Sequence, residues 1–428
     1  MKKVLIITAH FPPGNLAAVH RSRLFAQHLP EFGWEPIILT VDEKYYEETL
    51  DWNIVKLLPP SLKIYKSKSL PITKPRIIGD IGLRAFFYLY KKAKQIIRDE
   101  KIDFVYIPIP FFYVALLGRM LYRSTRVLYG IDYIDPWVHK FPGNKKLFSR
   151  HWFSAKIAKI LEPIAVKRAA LITGVAESYY KGVKERNPHL IKQAIFAAMP
   201  YGGEKSDHEK VKLLDVKPYL FRKQEGKIQI VYAGAMLPNA YGPLEKIFSA
   251  ISKSINTFQT IEFHFIGTGK LPNDPNSYNI KPLAEKYNLW QTVIFEYPAR
   301  IPYLDVLVHL EAADGIFILG STEPHYTPSK VYQGVLSSKP ILAVLHKESS
   351  AVKILEESGA GIVLAFNGEH DLDVIERSFI PVFQKYLDWL KIFDPTTIMI
   401  ELFEQYSAKN VTKQLALALD KVFNKNQE

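Results

Sequence analysis

Residues Leu319 to Val344 read LGSTEPHYTPSKVYQGVLSSKPILAV, and the fold class turns on how this stretch is read. It continues an apolar run, Gly315-Ile316-Phe317-Ile318-Leu319, that stops at Gly320 as a buried parallel strand stops. After a polar loop, Thr327-Pro328-Ser329-Lys330 reads as a helix start, with Thr327 as the cap and Pro328 at the first helical position. Val331, Tyr332, Val335 and Leu336 then share an inward face, while Lys330 and Gln333, three apart, share another. Pro340 ends the helix, and Ile341 to Val344 is the next strand. The unit therefore brings a helix N-terminus, a lysine and an amide to the carboxyl edge of a parallel sheet. Open α/β sheets bind ligands at that edge, and helix N-termini favour phosphate. An ordinary α/β unit without a ligand would read the same way here.

Upstream, the same alternation repeats. Ile228 to Ala233 is a strand ending in Gly234-Ala235-Met236, followed by a helix over Pro243 to Ile255. Ile261 to Ile266 is the next strand, closing in Gly267-Thr268-Gly269. A helix over Lys281 to Tyr287, a strand over Val293 to Phe295 and a helix over Tyr303 to Ala313 lead into the opening stretch. Strands alternating with helices predict a doubly wound parallel domain. Beyond it, Pro381 to Ile392 and Thr396 to Phe423 read as helices, and Asp373 reads as a helix cap rather than a metal ligand.

The first half follows the same grammar. Val4 to Thr8 is a strand, Ala9 to Asn15 a loop, and a helix runs through Arg21, Leu24, Phe25 and Leu29 to the strand Pro36 to Thr40. That spacing predicts a right-handed βαβ unit with its loop at the ligand edge. The unit carries no G-x-G-x-x-G, which removes the main sequence support for a dinucleotide. His10, Asn15, His20, Arg21 and Arg23 are the polar residues such a loop could offer a substrate, or they are solvated surface. Strand Val127 to Tyr129 runs into Gly130-Ile131-Asp132-Tyr133-Ile134-Asp135-Pro136-Trp137. Two carboxylates and an indole at a strand end suit the wall of a polar substrate site; Asp135 capping a turn before Pro136 fits equally.

Composition sets outer bounds. The chain has 428 residues, 48% of them hydrophobic, enough for two or three domains with buried cores. It has no cysteine, which rules out disulfides and thiolate metal sites and fits a reducing cytoplasm. The apolar run in MKKVLIITAH is too short for a signal-peptide core, and Phe104 to Gly118, broken by Pro108 and Pro110, is too short for a membrane span. The net charge of +13 calls for an anionic partner: nucleic acid, membrane or a phosphorylated substrate. Between Lys56 and Arg98 eleven Lys or Arg face Asp80 alone. Between Lys140 and Ala170 eight face Glu162 alone, interleaved with Phe148, Trp152, Phe153, Ile157 and Ile160. Such a tract reads as an interfacial helix on an anionic membrane surface, or as an ordinary amphipathic helix. The chain carries no recognisable nucleic-acid module.

Taken in order, several stretches resemble the family-4-like GT-B glycosyltransferases of the bacterial surface-polysaccharide type. His10-Phe11-Pro12-Pro13-Gly14 with Arg21 resembles that family's first loop, and Ile134-Asp135-Pro136-Trp137 its Asp-Pro-Trp loop. Met199-Pro200-Tyr201-Gly202-Gly203-Glu204 resembles the entry to its linker, and Tyr232-Ala233-Gly234 with Tyr241-Gly242-Pro243 its donor-domain glycine loop. Phe265-Ile266-Gly267-Thr268-Gly269 resembles Val-Gly-x-Gly, and Pro328-Ser329-Lys330-Val331-Tyr332-Gln333 with Ser338-Lys339-Pro340 resembles Pro-Ser-Lys-x-x-Glu and Gly-Lys-Pro. The resemblance covers nearly the whole chain.

It implies an α/β fold of GT-B type: two Rossmann-like doubly wound domains facing a cleft, with C-terminal helices crossing back to the first. Residues 1–200 would hold the acceptor, 201–226 would be a linker, 227–378 would hold the nucleotide sugar, and 379–428 would pack back toward the first domain. It further implies transfer of a sugar from a nucleoside-diphosphate sugar to a saccharide or lipid-linked acceptor, with retention, without metal or other cofactor, in a cytoplasmic or inner-face peripheral enzyme. Lys330, Asp135 and His139 are the candidate catalytic groups. Gly234, Ala235, Gly267, Thr268, Glu323, His325, Thr327, Ser329, Lys330 and Gln333 are expected around the donor. His10, Pro13, Gly14, Asn15, Arg21 and Trp137 are expected on the acceptor side. A nucleotide-sugar 2-epimerase and a catalytically silent GT-B partner or glycan-binding protein are the alternatives.

The chain also departs from the family pattern. Gln333 stands where an acidic ribose ligand is expected, His325 where its acidic partner would fall with Glu323 two residues away, and Ala235 and Met236 where relatives carry a base. A neutral hydrogen bond contributes about 0.5–1.5 kcal/mol against about 1.5–3 for a charged one, so the grip on ribose should weaken without vanishing. Ser338 replaces a glycine, so the helix exit must avoid positive φ or carry strain.

Overall fold

The computed structural model describes residues 1–73, 79–138, 148–271 and 273–425. The chain divides into two compact units, Met1–Tyr201 with Ala408–Glu428, and Gly202–Ser407. Each is built on one all-parallel sheet.

In the first unit the strands are β1 (Lys2–Ile7), β2 (Trp34–Val41), β3 (Lys63–Ser67), β4 (Phe104–Pro108), β5 (Leu128–Tyr133), β6 (Leu171–Gly174) and β7 (Ile195–Ala198). They lie in the order β3-β2-β1-β4-β5-β6-β7, so the winding reverses between β1 and β4. Both faces of the sheet are covered, which is why its strands are continuous apolar runs. Leu5 and Ile7 of β1 pack beneath the helices Ile81–Glu100 and Leu116–Thr125. Val4 and Ile6 point the other way, into a cluster with Phe25, Trp34 and the C-terminal residues Val411, Leu415, Leu419 and Val422.

The second unit holds β8 (Ile228–Ala233), β9 (Ile261–Ile266), β10 (Ile294–Tyr297), β11 (Gly315–Leu319), β12 (Ile341–His346) and β13 (Gly361–Phe366). The order is β10-β9-β8-β11-β12-β13, with its reversal between β8 and β11.

Two expectations about the tail change. Of the stretch 379–428, only the helix Ala408–Lys425 joins the first unit. The remainder belongs to the second, because Phe379, Phe383 and Tyr386 are buried in its core. Those residues lie on one long helix, Leu372–Ile392, with Pro381 inside it rather than at its start. An interior proline costs about 3 kcal/mol, and three fully buried aromatic side chains outweigh that. Likewise Asp373 is not the cap; Asp371 occupies that position, and Asp373 bonds Lys246 at 2.5 Å. Among the described residues, no helix is long and apolar enough to cross a membrane.

Candidate active site

The carboxyl edge between β8 and β11 is where a doubly wound sheet offers a ligand crevice, and the ammonium of a lysine is buried there. Gly234 follows β8 at φ +125°, a conformation a side chain would strain. A Cβ at that position would lie 3.0 Å from the Lys330 ammonium, so glycine is also what makes room for it. Lys330 Nζ sits 3.7 Å from the centre of the Tyr232 ring. It is buried and has no hydrogen-bond partner among the described residues. Burial without a counter-charge pulls its pKa down to about 7. The Tyr232 hydroxyl in turn donates to the Ala235 carbonyl at 3.1 Å, bracing the loop. A cation held this way is incomplete until an anion arrives.

The surrounding loops are fixed by bonds that redistribute the expected roles. The Gly234 N–H donates to Ile266 O at 2.8 Å, and that of Gly267 (φ +72°) to Tyr297 O at 2.8 Å, so neither amide is open to a phosphate. Among the described residues the Ala235 N–H has no backbone acceptor and stays open. Thr268 is wholly buried, its hydroxyl donating to Glu296 at 2.8 Å. Glu296 also accepts from the N–H groups of Ile280 and Lys281, so Thr268 belongs to a helix-start scaffold and is not a donor ligand.

Thr327 does not cap the next helix. That helix runs Lys330–Leu336 with Ser329 at the cap position and no side-chain cap bond. The Thr327 hydroxyl lies 2.7 Å from that of Ser350, and the Ser349 hydroxyl donates to Tyr326 O at 2.8 Å. These two bonds staple the loop to the next helix. Thr322 N donates to Asn239 O at 3.1 Å, tying the same loop to the one after β8. Glu323 and His325 lie half-buried on this tied loop. At the helix exit Ser338 does take a positive φ, +57°, and carries the strain its sequence foretold.

Gln333 has a neighbour that the sequence reading missed. Its Oε1 lies 3.0 Å from His208 Nε2, and His208 Nδ1 lies 2.9 Å from Glu311 Oε1. With acceptors at both nitrogens the imidazole must donate twice. With one proton, on Nδ1, it needs the Gln333 amide turned so that its NH2 faces Nε2, and Oε1 is then released. His208 thus sets which end of the amide is available. It lies in the polar run Glu204 to Lys212, read as linker but folded as the helix Lys205–Leu213.

In the first unit, His10 follows β1 beside Phe111, which follows β4, so it stands at that sheet's own reversal. Its ring lies 4.3 Å from Tyr46 and 4.8 Å from Phe111. Nδ1 is 3.2 Å from Glu48 Oε1. Burial, and then the positive charge of Arg84, pull the pKa of His10 down to about 3, so it is neutral. Gly14 packs against the same carboxylate: a Cβ there would meet Glu48 Oε1 at 3.0 Å. Pro13 O accepts from Asp51 N at 2.8 Å, and Asn15 Nδ2 donates to Asp51 Oδ2 at 3.2 Å. His10, Pro13, Gly14 and Asn15 are therefore assembled around Glu48 and Asp51.

Arg21 and Trp137 are not surface groups of that site. Arg21 has no exposed area; Nε and Nη2 donate to Asp132 at 2.6 and 3.0 Å, and Nη1 to the carbonyls of Met199 and Pro200. Burial disfavours its charge, and the Asp132 carboxylate more than restores it. Asp132 is held further by Thr173 at 2.8 Å. This network locks the sheet edge and leaves nothing for a substrate. Trp137 is buried and stacked on Phe112 with 5.9 Å between ring centres. Asp135 is exposed, and His139 lies outside the described residues.

Two parallel doubly wound α/β units, with a C-terminal helix returned to the first, constitute a GT-B fold. Solved structures agree over the length of the chain. A glycosyltransferase from Rickettsia africae matches with a TM-score of 0.61 at 15% identity, covering 99% of this chain and 98% of that one. HepE from Anabaena, solved with UDP-glucose, matches with 0.61 at 13% identity over 98% and 100%. The UDP-GlcNAc 2-epimerase of Methanocaldococcus jannaschii matches with 0.54 at 12% identity over 98% and 100%. No protein-family model matches the sequence, and no curated protein does.

Proposed function

We propose that the protein is a glycosyltransferase that moves a sugar from a nucleoside-diphosphate sugar to a saccharide or lipid-linked acceptor in surface-polysaccharide assembly. The observation that carries this reading is the buried Lys330 ammonium, without a hydrogen-bond partner among the described residues and packed on Gly234 at the β8–β11 edge. A diphosphate supplies the missing anion. Its charge grows as the glycosidic bond breaks, so a preorganised cation there stabilises the transition state more than the ground state. The Ala235 amide adds to that field, and Gln333 and the loop carrying Glu323 and His325 would hold the ribose and sugar. The first-unit cluster of His10, Gly14 and Asn15 would receive the acceptor. The likeness to HepE supports a uridine nucleotide. Following the sequence resemblance, we propose retention of configuration without a metal ion.

A thermal-shift and calorimetric screen of nucleoside diphosphates and their sugars tests the donor half. A ligand at a hundred times its dissociation constant should add about 2.7 kcal/mol of stability. Transfer is then read as nucleotide release that depends on an added saccharide or lipid-linked acceptor. Donor binding with epimerised sugar and no acceptor dependence would make the protein an epimerase. Absence of donor binding would make it a silent partner.

A further inference from the structure

The two units differ sharply in charge. The first carries 36 Lys and Arg against 18 Asp and Glu, a net of +18, whereas the second carries 20 against 25, a net of −5. The whole excess lies on the unit with the neutral His10 cluster, and part of it surrounds an apolar ridge.

That ridge is the outer face of the helix Arg150–Val166. Phe153, Ile157, Ile160 and Ile164 are spaced four, three and four residues apart, so they line one face. They are 49%, 41%, 65% and 43% exposed, and Phe148, at the head of the helix, is 75% exposed. The inward face is separate: Ala158, Glu162, Ala165 and Val166 are buried. The helix has therefore satisfied its core side and presents a second apolar stripe to solvent. A contiguous stripe of this kind marks an interaction surface. Its upper end is an aromatic cluster. Phe148 and Trp152 are 5.5 Å apart, and Trp152 and Phe153 meet edge to face at 5.0 Å.

Along the helix itself the exposed charge has one sign. Lys156, Lys159, Lys167 and Arg168 are exposed, and Lys156 Nζ stands 5.3 Å from the Trp152 ring. The one carboxylate between Phe148 and Ala170 is Glu162, which is turned inward to Arg186 at 2.8 and 2.9 Å. An occupant must be apolar enough to take Phe and Ile and anionic enough to face lysines with no acid between them. Nucleic acid meets the second demand alone. The surface of an anionic bilayer meets both, with lysine stems reaching the headgroups while the rings and branched chains enter the acyl boundary.

We infer that the outer face of the Arg150–Val166 helix docks the first unit onto an anionic lipid surface. The docking does not depend on the transferase reading, because the assay below measures no transfer. The intact protein is sedimented with phosphatidylcholine vesicles, with and without roughly 30% phosphatidylglycerol, in about 0.1 M and about 1 M salt. Binding is expected to the anionic vesicles at low salt, to weaken at high salt, and to be absent from pure phosphatidylcholine. Lys156→Gln with Lys159→Gln should weaken it about 25-fold, about fivefold for each lysine. Phe153→Ser with Ile160→Ser should weaken it at least tenfold. Both pairs are solvent-exposed, so melting temperatures should hold, and unchanged melting separates lost docking from lost fold. Wild-type protein that ignores anionic vesicles, or pellets equally with neutral ones, would overturn the inference. So would variants that bind as well as wild type. Conversion of a dimer to a monomer by the Phe153 and Ile160 substitutions, without any vesicle binding, would assign the stripe to a second copy instead.

Discussion

Lys330 gives the donor proposal a proton signature. In the free protein its pKa is pulled down to about 7 by burial. A bound pyrophosphate supplies the missing counter-charge and should restore the ordinary value, near 10.4. At pH 8 about nine in ten free molecules carry a neutral Lys330, so binding should take up about 0.9 of a proton. Uptake should fall to about half at pH 7 and about a tenth at pH 6, where the free side chain is already charged. Affinity should be flat below pH 6 and then weaken about tenfold per unit above pH 7, because the proton must be supplied. The assay is calorimetry with UDP-glucose, whose pyrophosphate has no group titrating in this range, in buffers of different ionisation enthalpy. The slope of observed heat against buffer enthalpy gives the protons taken up. Lys330→Met should abolish the slope and weaken binding at pH 6 by about 1.5–3 kcal/mol, the range for a charged hydrogen bond. UDP-glucose binding with no uptake at pH 8, or with equal uptake in Lys330→Met, would refute the assignment.

Three further outcomes are expected. Gln333→Ala should weaken donor binding by about 0.5–1.5 kcal/mol and also lower stability by about 1–3 kcal/mol, because it strips a partner from buried His208; calorimetry and urea unfolding read the two effects separately. Arg21→Met, which leaves Asp132 buried and unpaired, should cost about 3–5 kcal/mol in urea unfolding, and a loss under 1 kcal/mol would count against the network. Ser338→Gly should raise stability by about 1 kcal/mol by relieving the left-handed backbone at +57°, with donor affinity unchanged.

The strands and their carboxyl ends were legible because both faces of each sheet are buried, which leaves uninterrupted apolar runs such as Val4 to Ile7 and Ile316 to Leu319. Lys330 was legible for a related reason: it follows a strand, a loop and a helix start in short succession. What sequence could not show were partners far apart in the chain. Arg21 looks like a loop cation until Asp132, 111 residues on, takes it into the interior. Gln333 looks like a free amide until His208, 125 residues earlier, meets it. Thr268 and Trp137 have polar or amphipathic side chains that suit a site equally well when buried. Pro381 reads as a helix start, since nothing local reveals the aromatic core that holds the helix together around it.

The helix Ala408–Lys425 has a consequence for the order in which the molecule is completed. It supplies Val411, Leu415, Leu419 and Val422 to the layer beneath β1 and β4, yet follows the whole second unit in the chain. At roughly 5–20 residues per second, synthesis leaves that layer open for roughly 10–45 s after Tyr201 has been made. During that interval the second unit, being continuous, can close first, while one side of the first sheet is covered only in part, by Phe25, Leu29 and Trp34. The ribosome thus finishes the earlier-made half last.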